Sequence, residues 1–284
     1  MLLALLLLQA ALARDPSLQV IPAEVQPGDA FLVLVKDAKT QPLASVAGRA
    51  LYFYPIRGGF AAVGGLPLEM PPGQTPIRVA LPPSSESAAR ELSATLKVEA
   101  PHFPRRNLEL PSRYVEPPPP AIQARIDEDR AAFERAFAQV ASPPLFETDF
   151  AWPRHDRVTA NYGEKRELNG QKPSQHYGLD IAGRVGDPVK AANDGRVVMV
   201  RDCFASGQTV VLWHGASLYT TYLHLSRTFV KEGARVLRGE MIGLVGKSGR
   251  ASGPHLHWGV KVGDLYVDPA TVLRLPLGRG PTSP

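Results

Sequence analysis

The chain has 284 residues, enough for one large domain or two ordinary ones, and its 44% hydrophobic content allows a sizeable core. A formal charge of +5 and a pI near 9.4 favour anionic surfaces such as wall polymers, while the absence of a lysine- or arginine-dense run interleaved with aromatics argues against nucleic acid. The single cysteine, Cys203, excludes an intramolecular disulfide and a cysteine zinc cluster, and 28 prolines with 25 glycines point to many turns and few long helices.

Residues 1–13 read as a signal peptide: Leu2 to Leu8 are nearly all leucine, and Ala11-Leu12-Ala13 forms a small-x-small cleavage site before Arg14. The apolar run is shorter than the roughly 20 residues a spanning helix needs, so no stable membrane span is expected after processing. The expected location is exported, periplasmic or associated with the cell envelope. From residue 14 to 115 short strands alternate with turn signals, among them Ala30 to Val35, Ala50 to Tyr54, Pro76 to Leu81 and Leu92 to Val98. With weaker candidates between them, about seven strands fit, which suggests an N-terminal β-sandwich, immunoglobulin-like in one form.

Residues 116–144 form a linker. Pro117 to Pro120 are a stiff proline run, and Ile122, Ile126, Phe133, Phe137 and Val140 recur at helical spacing until Pro143-Pro144. The bland reading of this amphipathic helix is packing between two domains. From 145 to 275 the chain is β-prone again, with Val197 to Val200, Thr209 to Trp213 and Leu218 to Tyr222 as strands and His214-Gly215 as a turn. Gly243, Gly246 and Gly249 read as tight turns; no helix follows them, as a phosphate loop would require. The Pro-, Gly- and Ser-rich residues 276–284 are expected to be a flexible tail.

Three motifs in the last third of the chain carry chemistry. His176-Tyr177-Gly178-Leu179-Asp180 sets a carboxylate four residues after a histidine. Tyr222-Leu223-His224-Leu225-Ser226 adds a histidine in an apolar setting, and Gly253-Pro254-His255-Leu256-His257-Trp258-Gly259 holds two histidines one residue apart. In an extended strand His255 and His257 share one face while Leu256 and Trp258 pack on the other. Zinc accepts nitrogen and carboxylate ligands, and a catalytic site uses three of them with one position left for water. Spacing alone does not say which of the five groups would ligate. His176 and Asp180 would be neighbours on a helix but about 13 Å apart in a straight strand.

On these motifs the segment from about Phe146 to Asp268, a little under half of the chain, resembles the lysostaphin/LytM-type zinc metallopeptidases, the cell-wall endopeptidase family. The resemblance implies a mainly β protein with a C-terminal antiparallel β lysostaphin-type peptidase domain. It implies Zn2+ held by His176, Asp180 and His257, a bend at Gly178, and His224 and His255 as catalytic groups beside the open position. Asn161 and Arg166 stand where the family's first groove loop would contact substrate. The implied activity is that of an exported zinc-dependent endopeptidase acting on peptide bonds in peptidoglycan stems or cross-bridges. The alternative is a catalytically inactive wall-binding or regulatory module of the same fold; the presence of all three ligand positions and both catalytic histidines favours the enzyme. No Gly-x-Ser-x-Gly elbow offers a metal-free route, and the sequence names no protein partner.

Overall fold

The computed structural model describes residues 14–85 and 87–278; the expected signal peptide and residues 279–284 of the expected tail lie outside the described residues. The first hundred residues supply nine strands: β1 (Ser17–Ile21), β2 (Glu24–Val25), β3 (Ala30–Lys36), β4 (Leu43–Val46), β5 (Arg49–Ala50), β6 (Tyr54–Ile56), β7 (Gly59–Gly65), β8 (Gly73–Leu81) and β9 (Arg90–Val98). They form a four-stranded sheet ordered β1-β3-β7-β6 and a five-stranded sheet ordered β2-β9-β8-β4-β5. Phe31, Val33, Val35 and Ala62 of the first sheet meet Ile77, Val79, Leu81, Leu96 and Val98 of the second, so the two sheets close a sandwich.

The other face of the four-stranded sheet is also covered. Strand side chains alternate, so Ala30, Leu32, Leu34, Ala61 and Val63 point away from the sandwich core, and they join a second core with residues of the C-terminal half. That is why Ala30 to Val35 is an unbroken apolar run instead of an alternating one: β3 is buried on both faces. Backbone contacts lock the seam. Asp268 donates its N–H to the Gly28 carbonyl at 2.8 Å, and the Ala30 N–H donates to Thr271 Oγ1 at 2.9 Å.

Strand β10 (Arg105–Leu108) precedes the proline run, yet it pairs in parallel with a strand of the C-terminal half. Helix α1 (Pro120–Phe137) starts on the last proline of that run, where proline's fixed φ suits the first helical position. Its Ala132, Phe133, Ala136 and Phe137 pack on Met199, Cys203 and Val211, and buried Asp129 accepts hydrogen bonds from Arg201 Nε (2.6 Å) and the Phe204 N–H (2.7 Å).

The C-terminal half continues with β11 (Val158–Ala160), β12 (Lys165–Leu168), β13 (Lys172–Gln175), β14 (Leu179–Ala182), β15 (Pro188–Lys190), β16 (Gly195–Cys203), β17 (Gly207–Trp213), β18 (Leu218–Leu225), β19 (Arg227–Thr228), β20 (Arg235–Val236), β21 (Met241–Leu244), β22 (His255–Val262), β23 (Leu265–Val267) and the short helix α2 (Pro269–Val272). Its large antiparallel sheet runs β11-β14-β22-β18-β17-β16-β20, with β23 added on β22. Tyr222, Leu256 and Trp258 are fully buried, and in β22 the last two alternate with His255 and His257. The flexible tail expected from 276 does not hold for residues 276–278: Leu277 is buried in the core, and the Gly278 N–H donates to Asp149 Oδ1. Among the described residues no helix is long and apolar enough to cross a membrane.

Candidate active site

Three sheet positions create the site. Strand β14 pairs antiparallel with β22 in a register that sets Asp180 against His257 and Ala182 against His255, and β18 pairs on the other side with Leu223 against His257. His176 comes from the break between β13 and β14, where the chain leaves β12 for β22. Gly178 lies in that break. A Cβ there would sit 2.6 Å from the Trp258 carbonyl and 2.7 Å from His257 Nε2, so the glycine provides room for β22 at least as much as a bend. His224 enters through a bulge: β18 carries one extra residue between Tyr222 and Leu225, and His224 has a left-handed φ of 61°. A left-handed non-glycine residue is strained, and bulges re-aim side chains.

Three acceptor atoms converge. His176 Nε2 lies 2.9 Å from Asp180 Oδ1 and 3.0 Å from His257 Nδ1, and His257 Nδ1 lies 2.9 Å from the same carboxylate oxygen. His176 Nδ1 donates to the Asn161 carbonyl at 2.7 Å, so its lone pair is on Nε2, aimed at the convergence. Burial opposes ionisation of Asp180, but the His176 and His257 rings set against its Oδ1 outweigh it and hold the carboxyl far below the usual carboxylate range. Burial in turn pulls His257 down to about 4, keeping the imidazole neutral. Two imidazole nitrogens and one carboxylate oxygen, each able to donate an electron pair, are a set that a zinc ion takes.

His224 and His255 flank this set. Their ring centroids are 5.0 Å apart, and the His224 centroid is 6.1 Å from that of His257. His224 Nδ1 donates to the Ser248 carbonyl (2.8 Å) and His255 Nδ1 to the Gly253 carbonyl (2.8 Å), leaving each Nε2 as the lone-pair nitrogen. His255 Nε2 lies 3.5 Å from Asp180 Oδ1. Burial, then the nearby His255 and His257, lower the His224 pKa to about 3, so this ring is neutral in the resting site.

The five side chains lie in a groove of about 430 Å³ whose walls also include Tyr177, Tyr266, Phe133 and three arginines, Arg106, Arg166 and Arg250. Arg166, expected to contact substrate, is engaged with protein: its Nη2 donates to Asp180 Oδ2 at 2.7 Å and its Nε to Glu164 Oε1 at 2.8 Å. Asn161 is exposed and outside the groove lining; it serves through its carbonyl on His176. Buried Glu164 is the residue that sequence reasoning missed. It anchors Arg166 and, at 3.2 Å, Arg106, and Glu164-x-Arg166 at strand spacing is the signal that could have found it. His214, outside the groove, is fully buried, with Nδ1 donating to the Asp194 carbonyl and Nε2 bonded to Thr220 Oγ1.

An antiparallel β sheet carrying a His-Asp-His donor set, with two further histidines at an open groove, defines a metallopeptidase-type site. Through residues 174–269 the chain matches the model of peptidase family M23 and carries a domain of that family there. It is 38% identical over 133 residues to the peptidoglycan DD-endopeptidase ShyA of Vibrio cholerae, covering 46% of this chain and 29% of ShyA. It is 38% identical over 118 residues to the DD-carboxypeptidase/endopeptidase Mpg of Neisseria meningitidis, covering 42% of this chain and 27% of Mpg. The chain thus spans about a third or less of these relatives. A crystal structure of a peptidase M23 from Pseudomonas aeruginosa superimposes with a TM-score of 0.66 at 27% identity, covering 87% of this chain and 94% of that one.

Proposed function

We propose that the chain is a zinc-dependent endopeptidase of the cell envelope, exported to reach its substrate, that hydrolyses peptide bonds in peptidoglycan stems or cross-bridges. The observation that carries this reading is the convergence of His176 Nε2, Asp180 Oδ1 and His257 Nδ1 at 2.9–3.0 Å, with His224 and His255 beside them in one groove. The three donor atoms would hold the ion, and bound zinc would supply a Lewis acid for the scissile carbonyl and lower the pKa of water toward about 7.

The chain's own residues supply positioning and proton transfer. Asn161 and Arg166 hold the donor set, one through the His176 ring and the other through the second oxygen of Asp180. His255, with Nδ1–H committed to Gly253, offers Nε2 as the general base for the attacking water. Once protonated there, it is a donor for the leaving nitrogen. His224, neutral and with Nδ1–H on Ser248, accepts a hydrogen bond at Nε2 and orients the water; it becomes a donor to a developing oxyanion only after taking up a proton.

The test is digestion of purified peptidoglycan by residues 14–284, with released fragments read by mass spectrometry. New peptide ends that disappear on chelation, return with zinc and are lost in His255→Ala are expected. No new ends from a chain that binds one zinc per molecule would reject the enzyme in favour of a wall-binding module.

A further inference from the structure

Arg106 and Arg166 are committed: both pair with Glu164, Arg106 also donates to the Thr159 carbonyl, and Arg166 donates to Asp180. Arg250 differs. Among the described residues its guanidinium has no carboxylate and no side-chain hydrogen bond; only its backbone N–H is engaged, donating to the Ala205 carbonyl at 2.7 Å. The charges felt there are the like charge of Arg166 and the phenol of Tyr114, and burial, followed by Arg166, pulls the guanidinium's pKa below its ordinary value. A half-buried cation beside another cation lacks an acceptor that the fold could have provided.

The loop that carries it is firmly held. Ser248 Oγ donates to the Leu225 carbonyl and accepts from the Gln208 N–H, at 2.7 and 2.8 Å. Gly249, at φ +68°, lies so close to Gly207 that a Cβ would approach the Gly207 nitrogen to 2.4 Å. The Ser248 carbonyl fixes the His224 ring, so Arg250, two residues on, is tied to the same frame as the proton-transfer histidines. An arginine fork is suited to a carboxylate, which it binds through two parallel hydrogen bonds. Within the groove lining three arginines face a single carboxylate, Asp180, itself bonded to Arg166.

We infer that Arg250 is a specificity-determining residue that binds a free carboxylate of the substrate peptide close to the scissile bond. This deepens the proposed function and rests on it: the preferred substrate is a direct cross-link or stem that carries a free α-carboxylate beside the scissile bond, not a neutral glycine bridge.

The test compares three synthetic peptides on the zinc-loaded chain: one with that α-carboxylate, its carboxamide twin and a pentaglycine bridge. Charge-assisted hydrogen bonds of this kind correspond to about 10- to 100-fold in kcat/KM. Wild type should prefer the carboxylate peptide over both others by that factor. In Arg250→Gln the preference over the carboxamide should fall below about 3-fold, and Arg250→Lys, which keeps the charge without the fork, should lie between. Thermal melts and zinc content of the variants exclude misfolding. The same carboxylate and carboxamide peptides are titrated by calorimetry into His255→Ala and into His255→Ala/Arg250→Gln. If nothing is cut, the proposed function fails, and the ratio of the two dissociation constants decides this inference separately. Equal binding of the twins, a preference that survives Arg250→Gln, or faster cleavage of pentaglycine would overturn it.

Discussion

Replacing Arg166 with methionine probes how the site is held together before any substrate arrives. Arg166 bridges two acids, Glu164 and Asp180, with side chains 16%, 3% and 11% exposed respectively. Methionine keeps most of the length and removes every donor. Asp180 then retains only its histidine contacts, and Glu164 retains Arg106, whose side chain is 45% exposed. Breaking a buried pair costs about 3–5 kcal/mol, against roughly 0–1 for an exposed one. Partial solvation of Asp180 and the surviving Arg106 contact set the expectation at the low end, about 3 kcal/mol. In urea that is a fall in midpoint on the order of 1 M for a slope of about 3 kcal/mol/M. The measurement is equilibrium unfolding of the metal-free chain, where zinc cannot mask the loss. Arg166→Lys should recover about half, since one ammonium cannot bridge both acids in the same geometry. A midpoint within about 0.2 M of wild type for Arg166→Met would refute the argument, because the bridge would then be worth no more than a surface pair.

His214 should make stability depend on acid. Burial lowers its pKa from 6.5 to about 4, so the fold keeps it neutral; stability is complete above about pH 6.5 and is lost as pH falls toward 4. The shift corresponds to about 3 kcal/mol, and His214→Gln should flatten the slope of unfolding free energy between those pH values by close to one proton; an unchanged slope would exonerate His214. At Gly178, alanine would press on the Trp258 carbonyl and on His257 Nε2. Zinc affinity measured against a chromophoric chelator should fall by about 10-fold or more and turnover by about 100-fold, while far-ultraviolet dichroism stays native. Wild-type zinc affinity in Gly178→Ala would show that β22 can yield there without cost.

Much of the fold was legible because the signals are local. Apolar runs bounded by glycine and proline mark strands whatever they pack against, and a helix from about 120 to 140 follows from the spacing of Ile122, Ile126, Phe133, Phe137 and Val140; the helix ends at Phe137, and Val140 lies beyond it, exposed. His255 and His257 on one face, with Leu256 and Trp258 buried behind them, also follow from the two-residue period of a strand. Ala30 to Val35 was legible as a strand, but what covers the second face of β3 was not, since that surface includes residues more than 100 positions away.

What the sequence by itself determined is therefore the inventory: five candidate groups, their strand or turn context, and the exclusion of cysteine chemistry. Tertiary structure alone decided which atoms meet. Register between β14 and β22 sets Asp180 opposite His257, and a bulge in β18 turns His224 inward. Strands β14 and β22 are far apart in sequence, so no hairpin turn fixes their register, and packing between distant segments decides it. Arg166 and Arg250 look alike as letters. One is tied to Glu164 and Asp180, the other faces the groove with no acceptor among the described residues, because a charged side chain's role depends on what the fold puts within about 3 Å of it.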